Sequence, residues 1–282
     1  MATQQDISLF TIHHRHDPQL DRFRRHFRPI QVGFALGGPD LGVMNDDEYG
    51  RLSARNRSYC ELSAFDDVSF RRLGTHVGFM HYRRMFTAPK PLALWVKDFK
   101  FLYRKMLFDI GMRQRPVQGR LKCDIRSEER LEQEITGLER FLDKGVDRYD
   151  IITPVPVTMH GNSVRNSYAE AHIVGHFDMF FETLVRQNPH LERHVQVSMK
   201  GNDLFLFNMF IMKTELFRQY WRILYDCLVE VEANIEFETL DSYQARVLGF
   251  LAERFMPVFL SHAVDDLGAR HCCLPVAGVE VG

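Results

Sequence analysis

The sequence predicts an α/β fold, one sheet with helices packed on both of its faces. Three observations carry that reading. Short apolar runs alternate with longer segments of helical periodicity through most of the 282 residues. The chain is 45% hydrophobic and holds 23 phenylalanines, enough for a large core. No internal repeat, low-complexity tract or clean linker divides it, so residues 1–282 read as a single domain with an elaborated middle.

The elements follow in order. DISLFTIHHRHD opens with a strand from Ile7 to Ile12 that runs into a polar loop. RFRRHFRPI is a short amphipathic stretch ended by Pro29, and IQVGFALGG is a second strand closed by Gly37 and Gly38. From Glu48 to Phe70 the spacing is helical, with Asn56, Tyr59, Cys60, Ser63 and Ala64 near one face. Val77 to Met80 forms a third strand. Residues 97–122 stand apart: eight lysines and arginines outnumber Asp98 and Asp109 and interleave with aromatics, as in an insertion or flap.

A helix starts after Ser127, with Glu128 and Glu129 in the first turn, where the macrodipole favours acids. Leu131, Ile135, Leu138 and Leu142 keep helical spacing and Gly145 marks the stop. YDIITPVPV is a strand ended by prolines, and Asn166 to Val185 is helical. FLFNMFIM, Phe205 to Met212, is an apolar strand carrying one asparagine. Thr214 caps the next helix, whose apolar residues run from Phe217 to Val231. Asp241 to Phe255 is a last helix, followed by PVFLSH.

Composition excludes several classes. A net charge of −1 gives no global field toward nucleic acid or membrane, so any anion site must be local. The five cysteines are odd in number, include the adjacent pair Cys272 and Cys273, and show no CxxC spacing. That argues against a disulfide framework or a cysteine zinc site and fits a reducing cytoplasm. MATQQDISLF lacks the basic and apolar regions of a signal peptide, and no run approaches 18 uninterrupted apolar residues, so membrane contact is expected to be peripheral. There is no Walker loop, GxGxxG, GxSxG or HExxH. Asp46 and Asp47 read as a plain acidic pair, and Asp147 and Asp150 have the wrong spacing for Asp-x-Asp.

VGFMHYRRMF is the most informative stretch. A buried strand runs straight into His81, Tyr82, Arg83 and Arg84. Open α/β sheets bind ligands beyond the carboxyl ends of their strands. A guanidinium offers a planar fork that suits phosphate oxygens, so a diphosphate is the natural guest. The plain alternative sends Arg83 and Arg84 to solvent or pairs them with Asp66 and Asp67. In TIHHRHD, His13, His14 and His16 sit too close in sequence to reach a tetrahedral metal geometry readily. That loop either touches a nucleotide or carries ordinary surface histidines. Asn208 lies in an apolar strand and needs partners, either neighbouring backbone or a sugar hydroxyl. DSYQARVLGFLAERF carries Asp241 and Gln244 on one face and Arg246 and Glu253, seven apart, on another, with Arg254 next. An internal ion-pair network explains these as well as catalysis does.

NRSYCELSAF, VGFMHYRRMF, YDIITP, NMFIM and SYQARVLGFLAERF resemble, in this order, the signature blocks of a glycosyltransferase-like domain family. That family occurs in bacterial capsule, exopolysaccharide and lipopolysaccharide O-antigen gene clusters and was long described only as a domain of unknown function. The resemblance runs from the first strand to about His262. Two features depart from it: AFDDVSFRR has no tryptophan, and the basic segment 97–122 is distinctive.

The resemblance implies a GT-A-like, Rossmann-like mixed sheet with helices on both faces and a reaction that uses nucleotide-activated sugars. Some members are associated with galactofuranose. Most GT-A enzymes end a strand in Asp-x-Asp, which holds a divalent metal; here the matching strand ends in HYRR. Arg83 and Arg84, helped by His81, would then replace some or all of the metal's charge, with manganese or magnesium left open as a cofactor. The resemblance places His14, Asn56, Glu61, His81, Tyr82, Arg83 and Arg84 around the donor and its diphosphate. Asp203, Asp241 and Glu253 are candidates for a general base, and Asn208, Gln244, Arg246 and Arg254 for sugar or acceptor contacts.

The implied partners are a nucleotide-sugar donor, UDP-linked by expectation, and a glycan or lipid-linked acceptor. From a cytoplasmic location, segment 97–122 would lie against anionic lipid at the inner membrane face or against the acceptor, or stand as a solvated insertion, and nucleic acid is not expected. The competing readings are an inactive scaffold and a module that binds RNA or another anionic polymer through RFRRHFR and residues 97–122.

Overall fold

The computed structural model describes residues 6–89, 125–158 and 163–280, so the insertion read at 97–122 lies outside the described residues. The first four strands are β1 (Ile7–His13), β2 (Arg28–Gln31), β3 (Met44–Asn45) and β4 (His76–His81). After them come β5 (Arg84–Phe86), β6 (Ile151–Pro154), β7 (Val157–Thr158), β8 (Asp203–Leu204), β9 (Phe210–Lys213), β10 (His271–Leu274) and β11 (Val276–Gly278). The main sheet runs β3-β2-β1-β4-β9-β6-β10. Its strands are parallel except β9, which is antiparallel to β4 and to β6. β5 folds back on β4 at His81 and Arg84 and pairs with β11. β7 and β8 form a separate antiparallel pair.

Side chains leave a strand on alternate faces, so each central strand feeds two cores. Phe10, Val77, Phe79, Ile151, Phe210 and Met212 enter one core, with helices Leu62–Ser69, Val174–Gln187, Thr214–Glu232 and Val247–Asp265. Leu9, Met80, Ile152, Met209 and Ile211 enter the other, with helices Leu20–His26 and Glu128–Gly145. Helices therefore cover both faces of a mixed sheet. The larger core is centred on phenylalanines: Phe65 lies 4.3 Å from Phe79 and 5.2 Å from Phe210, ring centre to ring centre.

Several boundaries differ from the sequence expectation, each for a local reason. β2 ends at Gln31 because Gly33, at φ 71°, turns the chain into a short 3-10 turn over Phe34–Leu36. The helix expected from Glu48 to Phe70 starts only at Ser53 and breaks at Cys60, whose φ is 52°. Asn166 to Val185 is two helices, Val164–Ala169 and Val174–Gln187. FLFNMFIM is strand only from Phe210, because Phe207 and Asn208 adopt positive φ. Thr214 does not cap its helix through its side chain; its hydroxyl donates to the Gly74 carbonyl at 2.6 Å. The last helix begins at Val247 and continues through Pro257 and PVFLSH to Asp265. Ser127 does cap its helix, accepting from the Arg130 N–H, while Gly145 ends it at φ −159°. Gln244–Asp265 is long and apolar enough to cross a membrane by length and composition, but 72% of its most apolar 18-residue window is buried inside the protein, as in a core helix.

Candidate functional site

The chain leaves β1 for β2 and β3 on one side and returns to β4 on the other. The topological switch point therefore lies between β1 and β4, and open α/β sheets bind ligands beyond the carboxyl ends there. β1 ends in His13 and runs on to His14 and Arg15; β4 ends in His81 and runs on to Tyr82 and Arg83. Ile12 is paired with His81, and the Tyr82 N–H donates to the Ile12 carbonyl at 3.2 Å, which locks the two strand ends together.

Tyr82 is buried and its ring gathers charge. His13 and His14 lie 5.8 and 5.2 Å from it, and the Arg83 and Arg15 guanidiniums 5.0 and 5.9 Å. Cations over an aromatic face are held by its quadrupole without being neutralised. His13 is structural: its imidazole is buried between Asp17 (2.7 Å) and Thr11 (3.0 Å). His14 is held below its ordinary pKa by burial and by Arg15 and Arg83. Asp66 and Asp67 are taken by Arg51 and Arg71, each at 2.5 Å, rather than by Arg83 and Arg84.

Phe207 links the other walls. The His81 Nε2 donates to its carbonyl at 2.7 Å, and its N–H donates to Glu253 Oε1 at 2.7 Å. Its ring lies 4.1 Å under the Arg84 guanidinium. Burial lowers the pKa of His81 against the pull of Glu61, whose Oε1 is 3.6 Å from Nδ1. Burial also raises the Glu253 carboxyl, opposed by Arg254, whose Nη1 donates to Oε2 at 2.8 Å. Arg246 approaches the Cys60 sulfur at 3.4 Å, and burial pushes that thiol up to about 12, so Cys60 is no nucleophile at neutral pH.

Asn56 stands behind this wall. Its amide donates to the Cys60 carbonyl (2.6 Å) and to Ser63 Oγ (2.8 Å), and so fixes the left-handed Cys60. The Asp46 carboxylate accepts from the Gly33 N–H (2.7 Å), the Phe34 N–H (3.2 Å) and the Ser53 hydroxyl (2.6 Å). Asp46 is thus buried and organises the loop after β2, whereas Asp47 is exposed.

The structure brings together His14, Glu61, His81, Tyr82, Arg83, Arg84, Arg246, Glu253 and Arg254, with Asn56 behind them. The Asn208 amide donates to the Gly249 backbone carbonyl at 3.3 Å, while its Oδ1 is buried without a partner. Arg254 is buried, also bonds the Phe250 carbonyl, and lies 5.1 Å over the Tyr168 ring. Asp241 and Gln244 have architectural contacts instead. Asp241 Oδ1 accepts from the N–H groups of Tyr243 and Gln244, both at 2.8 Å, and the Gln244 side chain donates to the Ala171 carbonyl at 2.9 Å. Asp203 begins β8, opposite Thr158, and lies on the Cys273 side of the sheet. Sequence reasoning overlooked Arg15, Phe207, Cys60 and the role of Asp46. Only Arg15 carried a signal, as a guanidinium beside the histidines that follow β1.

Divalent cations of the hard class need several oxygen ligands. Among the described residues, the carboxylates met here are Glu61, beside His81, and Glu253, which already holds Phe207 and Arg254. That donor set suits an anion rather than manganese or magnesium. A concavity of about 570 Å³ at the other end of the strands, where β6 and β10 begin and β9 finishes, is lined by Asp150, Lys213 and Arg270. Its charges pair with one another, Asp150 with Lys213 at 2.8 Å and with Arg270 at 2.9 Å, so it lacks the surplus positive charge of the β1–β4 end.

No curated protein matches the chain. A solved structure of the WbbM bifunctional glycosyltransferase in its apo form matches with a TM-score of 0.78 at 21% identity. The match covers 98% of this chain and 46% of that one, so the chain spans about half the length of the protein it matches. At that identity the likeness shows the fold, a GT-A-like mixed sheet with helices on both faces. Residues 8–264 match one family model, and the chain belongs to that family, the domain of unknown function DUF4422.

Proposed function

We propose that the chain is a glycosyltransferase that takes a sugar from a nucleotide-sugar donor and passes it to a glycan or lipid-linked acceptor during bacterial surface polysaccharide synthesis. The observation that carries this reading is the set of cationic side chains around Tyr82 and Phe207, at the switch point between β1 and β4. The GT-A-like fold and the family membership support it. The donor is UDP-linked, with UDP-galactofuranose the first to try. The reaction runs on the cytoplasmic side, against the inner membrane face.

Arg83, Arg84 and Arg15 bind the donor diphosphate and stabilise the charge that grows on it as the glycosidic bond breaks. His14 and His81 are neutral while the site is open, because burial lowers both. An arriving diphosphate favours their protonated forms and so recruits two further cations where they are needed. Glu61, Asn56 and Arg246 shape the donor pocket, and Glu253 holds the Phe207 peptide beneath Arg84. No step is assigned to a metal, since the donor set at this strand end does not suit one.

Arg83→Ala, at an exposed position, is expected to lower the rate of sugar transfer or donor hydrolysis on the order of 100-fold while leaving the melting temperature unchanged. Arg84→Lys keeps the charge and loses the planar fork, so it should fall between wild type and Arg84→Ala. Both rates are read from nucleotide release with UDP-sugars. Undiminished turnover in Arg83→Ala and Arg84→Ala would remove the arginines from the mechanism.

A further inference from the structure

We infer that His194, His262 and Asp266 form a binding site for a first-row divalent metal, zinc the best fit, which ties helix Glu192–Lys200 to the carboxyl end of helix Val247–Asp265. Among the described residues this is the one trio of His, Cys, Asp or Glu side chains whose ligating atoms all lie within 4.8 Å of one another.

The contacts converge on one carboxylate oxygen. Asp266 Oδ2 lies 2.7 Å from His194 Nε2 and 2.9 Å from His262 Nδ1. Tetrahedral zinc, at about 2.1 Å from each ligand, spaces its ligands roughly 3.4 Å apart, so the trio needs to open by about half an ångström. Imidazole and carboxylate together suit zinc or cobalt better than a hard cation.

The surroundings orient the His194 imidazole. His194 Nδ1 meets the Ser261 hydroxyl at 2.8 Å, and that hydroxyl donates onward to Asp265 Oδ2 at 3.2 Å. Such a chain keeps the imidazole proton on Nδ1 and leaves a lone pair on Nε2, the arrangement that orients a ligating histidine. The Arg193 Nε–H also points at Nε2, from 3.1 Å, and has to turn aside for a metal to take that lone pair. In that tautomer Nε2 and Asp266 Oδ2, 2.7 Å apart, both offer lone pairs that a metal, or a second imidazole proton, bridges. Arg193 pairs with Oδ1, the other oxygen of Asp266, and leaves Oδ2 to face the imidazoles. Separately, His262 is 5% exposed and its Nε2 is buried with no hydrogen-bond partner. The exposed His190, one helical turn before His194, has its ring 5.2 Å from that of His262 and is placed to supply a fourth ligand.

The site is not the diphosphate site. Nine residues of helix separate Glu253 from His262, roughly 14 Å at 1.5 Å per residue. Its role is to brace the helix whose amino-terminal half carries Glu253 and Arg254, and it stands or falls independently of the transferase reading.

The test is titration of the EDTA-treated full chain with Co2+ and then Zn2+. One equivalent of Co2+ should bind, with the intense visible absorption of a tetrahedral site, and zinc should displace it. Asp266→Asn, at an exposed position, should weaken binding at least 10-fold with unchanged circular dichroism, and His190→Ala should weaken it less. Cys272→Ser with Cys273→Ser should leave it unaltered. The proposal is overturned by the absence of saturable binding, or by binding that survives Asp266→Asn and His194→Gln together.

Discussion

Phe207 shows how one residue's backbone sets the site. Its φ of 77° is a conformation that costs an L-residue about 1–2 kcal/mol, and Asn208 beside it sits at φ 48°. The cost is met by fixing both ends of the Phe207 peptide, the carbonyl by His81 and the N–H by Glu253. That grip lays the ring flat beneath Arg84. Strain of this kind gathers at functional sites because the surroundings must over-determine it. Asp46 does similar work on the other wall with three hydrogen bonds to the loop after β2 and to Ser53. Asp46→Ala leaves the buried Ser53 hydroxyl and two half-buried N–H groups without this partner and should lower stability by about 1–3 kcal/mol in urea unfolding. Retention of full stability would mean that the loop does not depend on the carboxylate.

At the scale of elements, helix Val247–Asp265 and Cys60, at the end of segment Asn56–Tyr59, meet at a contact that leaves little room for a side chain. A Cβ on Gly249 would lie 3.2 Å from the Cys60 sulfur and 3.3 Å from its Cβ. Gly249→Val should therefore push Cys60 and Glu61 out of place and weaken nucleotide binding at least 10-fold, read by calorimetric titration, with Gly249→Ala milder. Equal affinity in Gly249→Val would show that this wall is not part of the pocket.

The same elements show what the sequence could and could not reveal. β1, β4 and helix Glu128–Gly145 were legible because apolar periodicity and a serine cap act within a dozen residues. HYRR was legible as a strand ending in cations, which is local as well. The breaks at Cys60 and at Phe207 were not: the first rests on a side-chain bond from Asn56, four residues earlier, which apolar periodicity does not register, and the second is imposed by His81 and Glu253, far along the chain. β10 and β11 escaped notice because HCCLPVAGV carries no periodic signal and becomes strand by pairing with β6 and β5. Asp46 looked like half of an acidic pair because its partners lie at 33, 34 and 53.

For the whole molecule, burial holds His76, His81 and His271 below their usual pKa, and it takes His172 to about 4, helped by Arg254. The unfolded chain then binds more protons than the folded one below about pH 6.5, the ordinary histidine value. Stability is fully present above that pH and is lost as pH falls from there toward 4. Asp67 and Glu253, raised by burial, contribute stability as pH falls and so oppose the trend. The urea midpoint at pH 5 should therefore lie below that at pH 7.5; a flat profile would show that these imidazoles titrate normally.

The central claim is that the β1–β4 switch point holds a nucleoside diphosphate through arginine. Its most direct test is the shift in melting temperature of wild type and Arg83→Ala with UDP, GDP, CMP and dTDP, each in EDTA and in manganese against a matching nucleotide-free control. The account predicts that UDP stabilises the wild type in EDTA, by about 2.7 kcal/mol at 100 times its dissociation constant, and that Arg83→Ala loses most of that shift. A shift that requires manganese, an equal shift in Arg83→Ala, or no shift with any nucleotide would contradict it.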